Sequence, residues 1–350
     1  MDLETIVELS HAYGGPEYVK GGGGNTSAKD ETTLWVKPSG TTLKGLTVDQ
    51  LVGVSRAATE ELFSIATPPS ANEREDLVKN HMAAAVTSGS GRPSVEAPLH
   101  HVFDATYVVH THMVRINGLT CAKHGAEMCA AMFPDALWAE YIDPGYTLSV
   151  EIKKRIDAFK ETHGHQPALL ILKNHGVFAA ADTAEEIREL HARLNHQLEI
   201  AYSEAGCSED LVMTESPPDP EAEAAIRAIF GDSAAFITSS GRFNCVPGPI
   251  NPDFMVYCKA IPFTDDLTEH NADMYREANG YDPKVVATAK HVYGIGTSQK
   301  NADLALEMAQ DAAQIMQLSE AFGGIEFVSD EARHFIENWE VEAFREKVSS

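Results

Sequence analysis

The sequence predicts a mixed α/β protein in two parts, residues 1–213 and a smaller α/β extension over 214–350. Three observations carry this expectation. β-Branched and aromatic runs alternate with amphipathic stretches of helical period in both parts. A segment rich in Pro and acidic residues, TESPPDPEAEA at 214–224, reads as a linker or surface loop between them. Hydrophobic residues make up 43% of 350 residues, a normal share for globular cores in a chain long enough for two domains.

The elements follow in order. Residues 2–13 read as a short helix. Residues 14–24 hold six glycines and end in Gly21-Gly22-Gly23-Gly24. Strand-like segments TSAK and TTLWVKPSG come next. Residues 47–65 read as a helix, with Thr47 and Gln50 as a capping box. A second helix is expected over 73–88. Ser94 can cap a third, running from near Val95 to Ala105. ATYVVHTHMV has the strongest strand signal. ALLILKNHGVFAA is an apolar run of the kind a buried strand has, and 183–205 is a long amphipathic helix. In the extension, 220–230 reads as a helix, AAFITSS, FMVYCKA and KVVATA as further α/β segments, and VYGIGTSQKNADLALEMAQDAAQIMQLSEAF as a turn entering a long helix.

Charge and targeting signals narrow the function. The net charge of −25 argues against nucleic acid, whose phosphates need clustered Lys and Arg. No apolar run reaches the roughly 20 residues of a membrane helix, and the acidic N-terminus lacks a signal-peptide pattern. The five cysteines form no CxxC pair and suit a reducing, cytoplasmic setting, most of them as small core residues. Neither membrane nor nucleic acid is an expected partner.

The chemistry centres on His110-Thr-His112. Residues i and i+2 of a strand face the same side, about 6.5–7 Å apart along the backbone, so two imidazoles can converge on one cation. His175, in Lys-Asn-His-Gly after an apolar run, offers a third ligand, with Gly176 leaving space. Glu96 falls in the first turn of an expected helix, where the dipole favours a carboxylate; next to a metal it could also bind the ion or act as a general base. The other histidines, among them His81, His100, His101, His191 and His196, read as surface or packing residues. The glycine tract through Gly24, followed by Asn25-Thr26-Ser27, is dense in bare backbone N–H groups that can wrap an anion. The Lys37-Pro38-Ser39-Gly40 turn repeats the theme and adds a cation. Neither matches a Walker or dinucleotide fingerprint.

Gly24-Asn25-Thr26-Ser27, Lys37-Pro38-Ser39-Gly40, Pro93-Ser94-Val95-Glu96, Val109-His110-Thr111-His112 and Lys173-Asn174-His175-Gly176 together resemble the class II aldolase/adducin family in order and spacing, over residues 1 to about 205. The resemblance implies a three-layer αβα fold around a mainly antiparallel sheet, usually assembled as a homotetramer. It implies one Zn²⁺ per subunit (or another divalent metal) on His110, His112 and His175, and Glu96 as acid/base. It places Gly22, Asn25, Ser39, Gly40 and Ser94 at the substrate phosphate, and Lys37 where the epimerase branch has a lysine. Tyr141 is the candidate for the family's proton-donating tyrosine. The implied activity is retro-aldol cleavage of a ketose 1-phosphate, rhamnulose- or fuculose-phosphate-like, to dihydroxyacetone phosphate and an aldehyde. A sugar-phosphate 4-epimerase or sugar-acid decarboxylase on the same site is the alternative, and an adducin-like binding protein the second. Val95 stands where family aldolases often have a second serine, and Glu96 stands where the epimerase branch tends to have Asp.

The segments GYDPKVV, YGIGTSQKNADLALEMAQDAAQIM and FIENWEVEAFREK resemble the region after the aldolase module in bifunctional rhamnulose-phosphate aldolase/lactaldehyde dehydrogenases. Gly294-Ile-Gly296 is too short for a dinucleotide motif and reads as a helix-entry turn, so no NAD is expected.

Overall fold

A computed structural model describes residues 2–66, 68 and 70–338, and they form two compact units. The first comprises residues 1–120 and 125–200; the second comprises 121–124 and the chain from 201 onward.

The first unit is built on eight strands: β1 (Asn25–Lys29), β2 (Thr33–Val36), β3 (Val52–Ser55), β4 (Val86–Ser88), β5 (Tyr107–Thr111), β6 (Leu137–Ala139), β7 (Leu169–Leu172) and β8 (Gly176–Ala181). Their order is β4-β3-β2-β1-β5-β8-β7-β6. Every neighbouring pair is antiparallel except β6 and β7. Burial on both faces of β1, β5 and β7 explains why these strands read as apolar or small-residue runs with little alternation. On one face, helix Tyr146–His163 buries Leu148, Ile152 and Ile156 against Val108, Leu170, Leu172, Phe178 and Ala180. Further along that sheet, Leu62, Val78 and Met82 cover Leu34, Val36, Val52 and Val54. On the opposite face lies helix Leu3–Ala12, whose Ser10 hydroxyl meets that of Thr26 at 2.7 Å. This is the expected αβα layering.

Several local expectations are revised. The capping box at Thr47 forms, but it opens one turn of 3-10 helix, Val48–Gln50. The chain then enters β3, because Val52 and Val54 fit a buried pleat better than a helix. The helix expected from Val95 to Ala105 is only Ala97–His101. ALLILKNHGVFAA is a hairpin, β7 and β8, broken at Asn174, whose φ of 53° reverses the chain.

The second unit holds a three-stranded antiparallel sheet in order β10-β11-β9, with β9 (Phe236–Gly241), β10 (Val285–Ala287) and β11 (His291–Gly296). FMVYCKA, an apolar run that could be either type, lies mostly in helix Pro252–Cys258; Asn251 caps it and Pro252 fits its first turn. Gly294 and Gly296 sit in β11, not in a helix-entry turn. They are needed because helix Gln299–Ser319 lies directly on the strand: a Cβ on Gly294 would fall 2.2 Å from the Ala302 carbonyl oxygen. Of FIENWEVEAFREK, residues 339–347 lie outside the described residues. Among the described residues no helix is long and apolar enough to cross a membrane.

Candidate metal centre

β5 carries His110, fully buried, and ends one residue before His112. Past the strand the His112 N–H turns to the Tyr18 carbonyl at 2.9 Å. The left-handed Asn174 swings His175 to the same place from the β7–β8 hairpin, with the Asn174 N–H donating to Thr120 O at 3.0 Å. Gly176 has no alternative there: a Cβ would lie 2.4 Å from the Thr111 carbonyl oxygen and 3.0 Å from the His112 ring.

One nitrogen from each of the three rings lies within 4.8 Å of the others. His112 Nε2 is 2.9 Å from His110 Nε2. Nitrogens sharing one tetrahedral ion at about 2.0–2.1 Å would stand roughly 3.3 Å apart, so the spacing suits a small cation. The orientation of His110 suits it too. Its Nδ1 is 3.0 Å from Val177 O, which only accepts, so Nδ1 carries a proton and Nε2 is left as the ring atom that can bind an ion. Phe178, the cross-strand neighbour of His110, stacks on its ring at 3.8 Å and holds its plane. The residues present therefore fit a metal ion, and the buried His triad could hold one.

Glu96 is the residue just before helix Ala97–His101. Its Oε1 lies 3.4 Å from His110 Nε2 and 3.8 Å from His175 Nε2. Burial pushes this carboxyl up, but the charge and hydrogen bond of His110, with the charges of His175 and His112, outweigh it and hold the group well below the usual carboxylate range. Asn25 Nδ2 donates to its other oxygen. Asn25 is brought there by register, since it pairs directly with His110 across β1 and β5.

The remaining expected residues fall around this centre to different degrees. Ser94 Oγ accepts from the Glu96 N–H at 3.2 Å and so shapes the turn that carries the carboxylate. The KPSG loop is joined to the same turn: Pro38 bridges Pro93, and the Ser39 N–H donates to Arg92 O at 2.8 Å. Gly40 takes a φ of 82° that suits glycine. Lys37 is buried, and its ammonium donates to Thr41 O at 2.7 Å. Gly24, with φ of 68°, packs against Val19 and the His110 carbonyl, and Gly22 is two residues earlier in the same loop. Tyr141 follows β6 in a loop, and burial, reinforced by Asp143, raises its hydroxyl strongly.

One contact near the site sharpens its sequence reading. Of the two roles expected for His100, surface or packing, it takes the second: it is fully buried and bonded through Nδ1 to Ser27 Oγ at 2.7 Å. The available signal is three polar residues, Asn25, Ser27 and Lys29, alternating on a strand too buried to solvate them.

The αβα core and its buried imidazole triad define a protein class with metal-dependent members, and the comparisons place the chain within it. Residues 4–202 match the family described as Class II Aldolase and Adducin N-terminal domain, and the chain belongs to that family. No curated protein matches the chain. Among solved structures it is similar to the N-terminal class II aldolase domain of a conserved protein from Thermoplasma acidophilum, at 24% identity and a TM-score of 0.50, over 57% of this chain and 93% of that one. It is also similar to an L-fuculose 1-phosphate aldolase (19% identity, TM-score 0.40, 63% and 92% covered). A third is the L-fuculose-1-phosphate aldolase of Thermus thermophilus (13%, 0.35, 56% and 89%). At these identities the likeness speaks to fold, which is the class II aldolase fold with an added C-terminal region.

Proposed function

We propose that the chain is a metal-dependent aldolase that cleaves a ketose 1-phosphate to dihydroxyacetone phosphate and an aldehyde. One observation carries the reading: a largely buried carboxylate, Glu96, steered by Asn25 against three converging imidazoles. His110, His112 and His175 would hold the ion, Zn²⁺ by donor set, and it would supply Lewis acidity toward the substrate's carbonyl and neighbouring hydroxyl.

The chain's own residues do the rest. The backbone N–H groups of the Gly22–Gly24 loop, with Asn25, Ser39, Gly40 and Ser94, would take the phosphate, and Lys37 would add a positive field. Val95 offers no hydroxyl there, so backbone donors carry more of that binding. Glu96 begins ionised and enters as a base. It collects a substrate hydroxyl proton, and after the C3–C4 bond breaks it returns a proton to C3. Tyr141 stays neutral at ordinary pH and is assigned to donate a hydrogen bond to the departing aldehyde oxygen, steadying it as its proton passes to Glu96. We keep residues 1–213 as the aldolase module and 214–350 as an extension of the bifunctional-enzyme type, in a cytoplasmic homotetramer.

The test is Glu96→Gln, assayed against a panel of ketose 1-phosphates with the aldehyde trapped and bound metal measured. Full metal content with kcat lowered at least about 100-fold is expected, since a positioned acid/base contributes about 10²–10⁴-fold. Unchanged turnover would remove Glu96 from the mechanism. Release of an epimer or CO₂ in place of an aldehyde would reassign the reaction.

A further inference from the structure

β1 serves the site with three side chains rather than one. Asn25, Ser27 and Lys29 alternate along the strand and so share a face. All three are buried, and each reaches the same short segment. Asn25 donates to the Glu96 carboxylate, Ser27 bonds His100 Nδ1, and the Lys29 ammonium donates to His100 O at 2.5 Å and Phe103 O at 2.7 Å.

That segment needs support. Helix Ala97–His101 has five residues, too few to be stable alone. Its last carbonyls would be left without partners, and Lys29 satisfies one of them, His100 O, together with Phe103 O just beyond the helix, at the end where the dipole favours a cation. Enclosing an ammonium this way is unfavourable, and burial lowers Lys29 to about 7. A methionine would fill the same space without that penalty, so packing alone does not account for the lysine. The segment leads back to the carboxylate in one turn, through the His100 N–H to Glu96 O bond at 2.9 Å. It also touches the metal side. The His100 ring meets Phe178 edge-on at 5.4 Å, and Phe178 is the ring stacked on His110. β1 thus places His110 by its ladder to β5 and the carboxylate by its side chains.

We propose that Ser27 and Lys29 are positioning residues that, through His100 and the 96–103 turn, fix the Glu96 carboxylate relative to His110. The inference rests on Glu96 being the acid/base assigned above. The experiment uses the full-length, metal-loaded protein and the variants Ser27→Ala, Ser27→Thr and Lys29→Met. Exchange of the C3 hydrogen of dihydroxyacetone phosphate with D₂O, followed by NMR, reads the Glu96 step without the aldehyde. Ser27→Ala and Lys29→Met should lower this exchange and kcat together, by about ten- to hundred-fold, with KM changed less than about threefold and metal content intact. Ser27→Thr should restore most of the loss. Crystal structures should show the Glu96 Oε1 to His110 Nε2 distance, 3.4 Å in the native chain, lengthened in Ser27→Ala and restored in Ser27→Thr. Native-like exchange and an unchanged distance in Ser27→Ala would overturn the proposal, even if Lys29→Met fails to fold. A wild-type protein with no exchange at all would instead overturn the acid/base assignment, while the distances still judge the bracket.

Discussion

At the residue scale the metal ligands are held by steric necessity as much as by bonding. Gly176 is the clearest example, wedged between the Thr111 carbonyl and the His112 ring. Gly176→Ala should lower metal affinity at least about tenfold and cost about 1–3 kcal/mol of stability, the usual range for overpacking. Metal titration and thermal unfolding of the variant would show it; native affinity would mean the hairpin gives way freely. A second residue sets acid stability. His191 is buried, stacks on Tyr13 at 4.0 Å, and is lowered by burial to about 4. Its folded state favours the neutral ring, so the associated stability is fully present above about 6.5 and lost as pH falls from there through 4. His191→Phe keeps the stack and should flatten that limb, by on the order of 2–3 kcal/mol between pH 7 and 4. Chemical denaturation at several pH values measures it. The triad was legible in the sequence because HxH and KNHG are local signals. The Asn25–Glu96 link was not, since 71 residues separate the partners and no local pattern joins them.

At the element scale, strands with β-branched or aromatic density were readable, and the errors came where one signal served two structures. Thr47 and Gln50 do make a capping box, yet the helix it announces lasts one turn because the following residues are recruited as β3 of the sheet. FMVYCKA is apolar throughout, which gives no period to distinguish strand from helix. Gly294 and Gly296 read as a turn because nothing in the local sequence shows a helix that will later lie on the strand. The close approach makes a direct prediction. Gly294→Ala should destabilise the second unit by about 2 kcal/mol or more, as its methyl group meets backbone that cannot yield. The first unit's metal affinity should not change. Limited proteolysis with metal titration would separate the two effects, and a silent substitution would show that the helix can move away.

At the scale of the whole molecule, the Pro-rich segment 214–224 lies inside the second unit, which resumes at residue 201, and the interruption of the first unit at 121–124 has no signal in the sequence. Residues 121–124 lie within the sequence of the first unit and belong to the second, held by Lys123 N–H to Gly324 O and His124 N–H to Phe322 O, both 3.0 Å, and by Glu326 N–H to Cys121 O at 2.7 Å. No sequence pattern announces such an exchange, because the pairing spans about 200 residues. A fragment ending at residue 202, where the family match stops, therefore lacks the partners of these groups. It should unfold several degrees below the first-unit transition of the full chain, as each backbone hydrogen bond of this kind contributes about 0.5–1.5 kcal/mol net. Calorimetry of both proteins with metal bound provides the comparison; equal midpoints would mean water satisfies the segment.

The same pairing has a consequence for synthesis. Residues 121–124 leave the ribosome about 200 residues before 322–326, a delay of roughly 10–40 s at ordinary elongation rates. His175 follows this segment by about 50 residues, so for most of that interval the nascent histidine triad and Glu96 can be in place while 121–124 await their partners. Metal capture during translation can therefore precede this long-range pairing, and segment 121–124 stays open to chaperones and proteases until 322–326 have emerged.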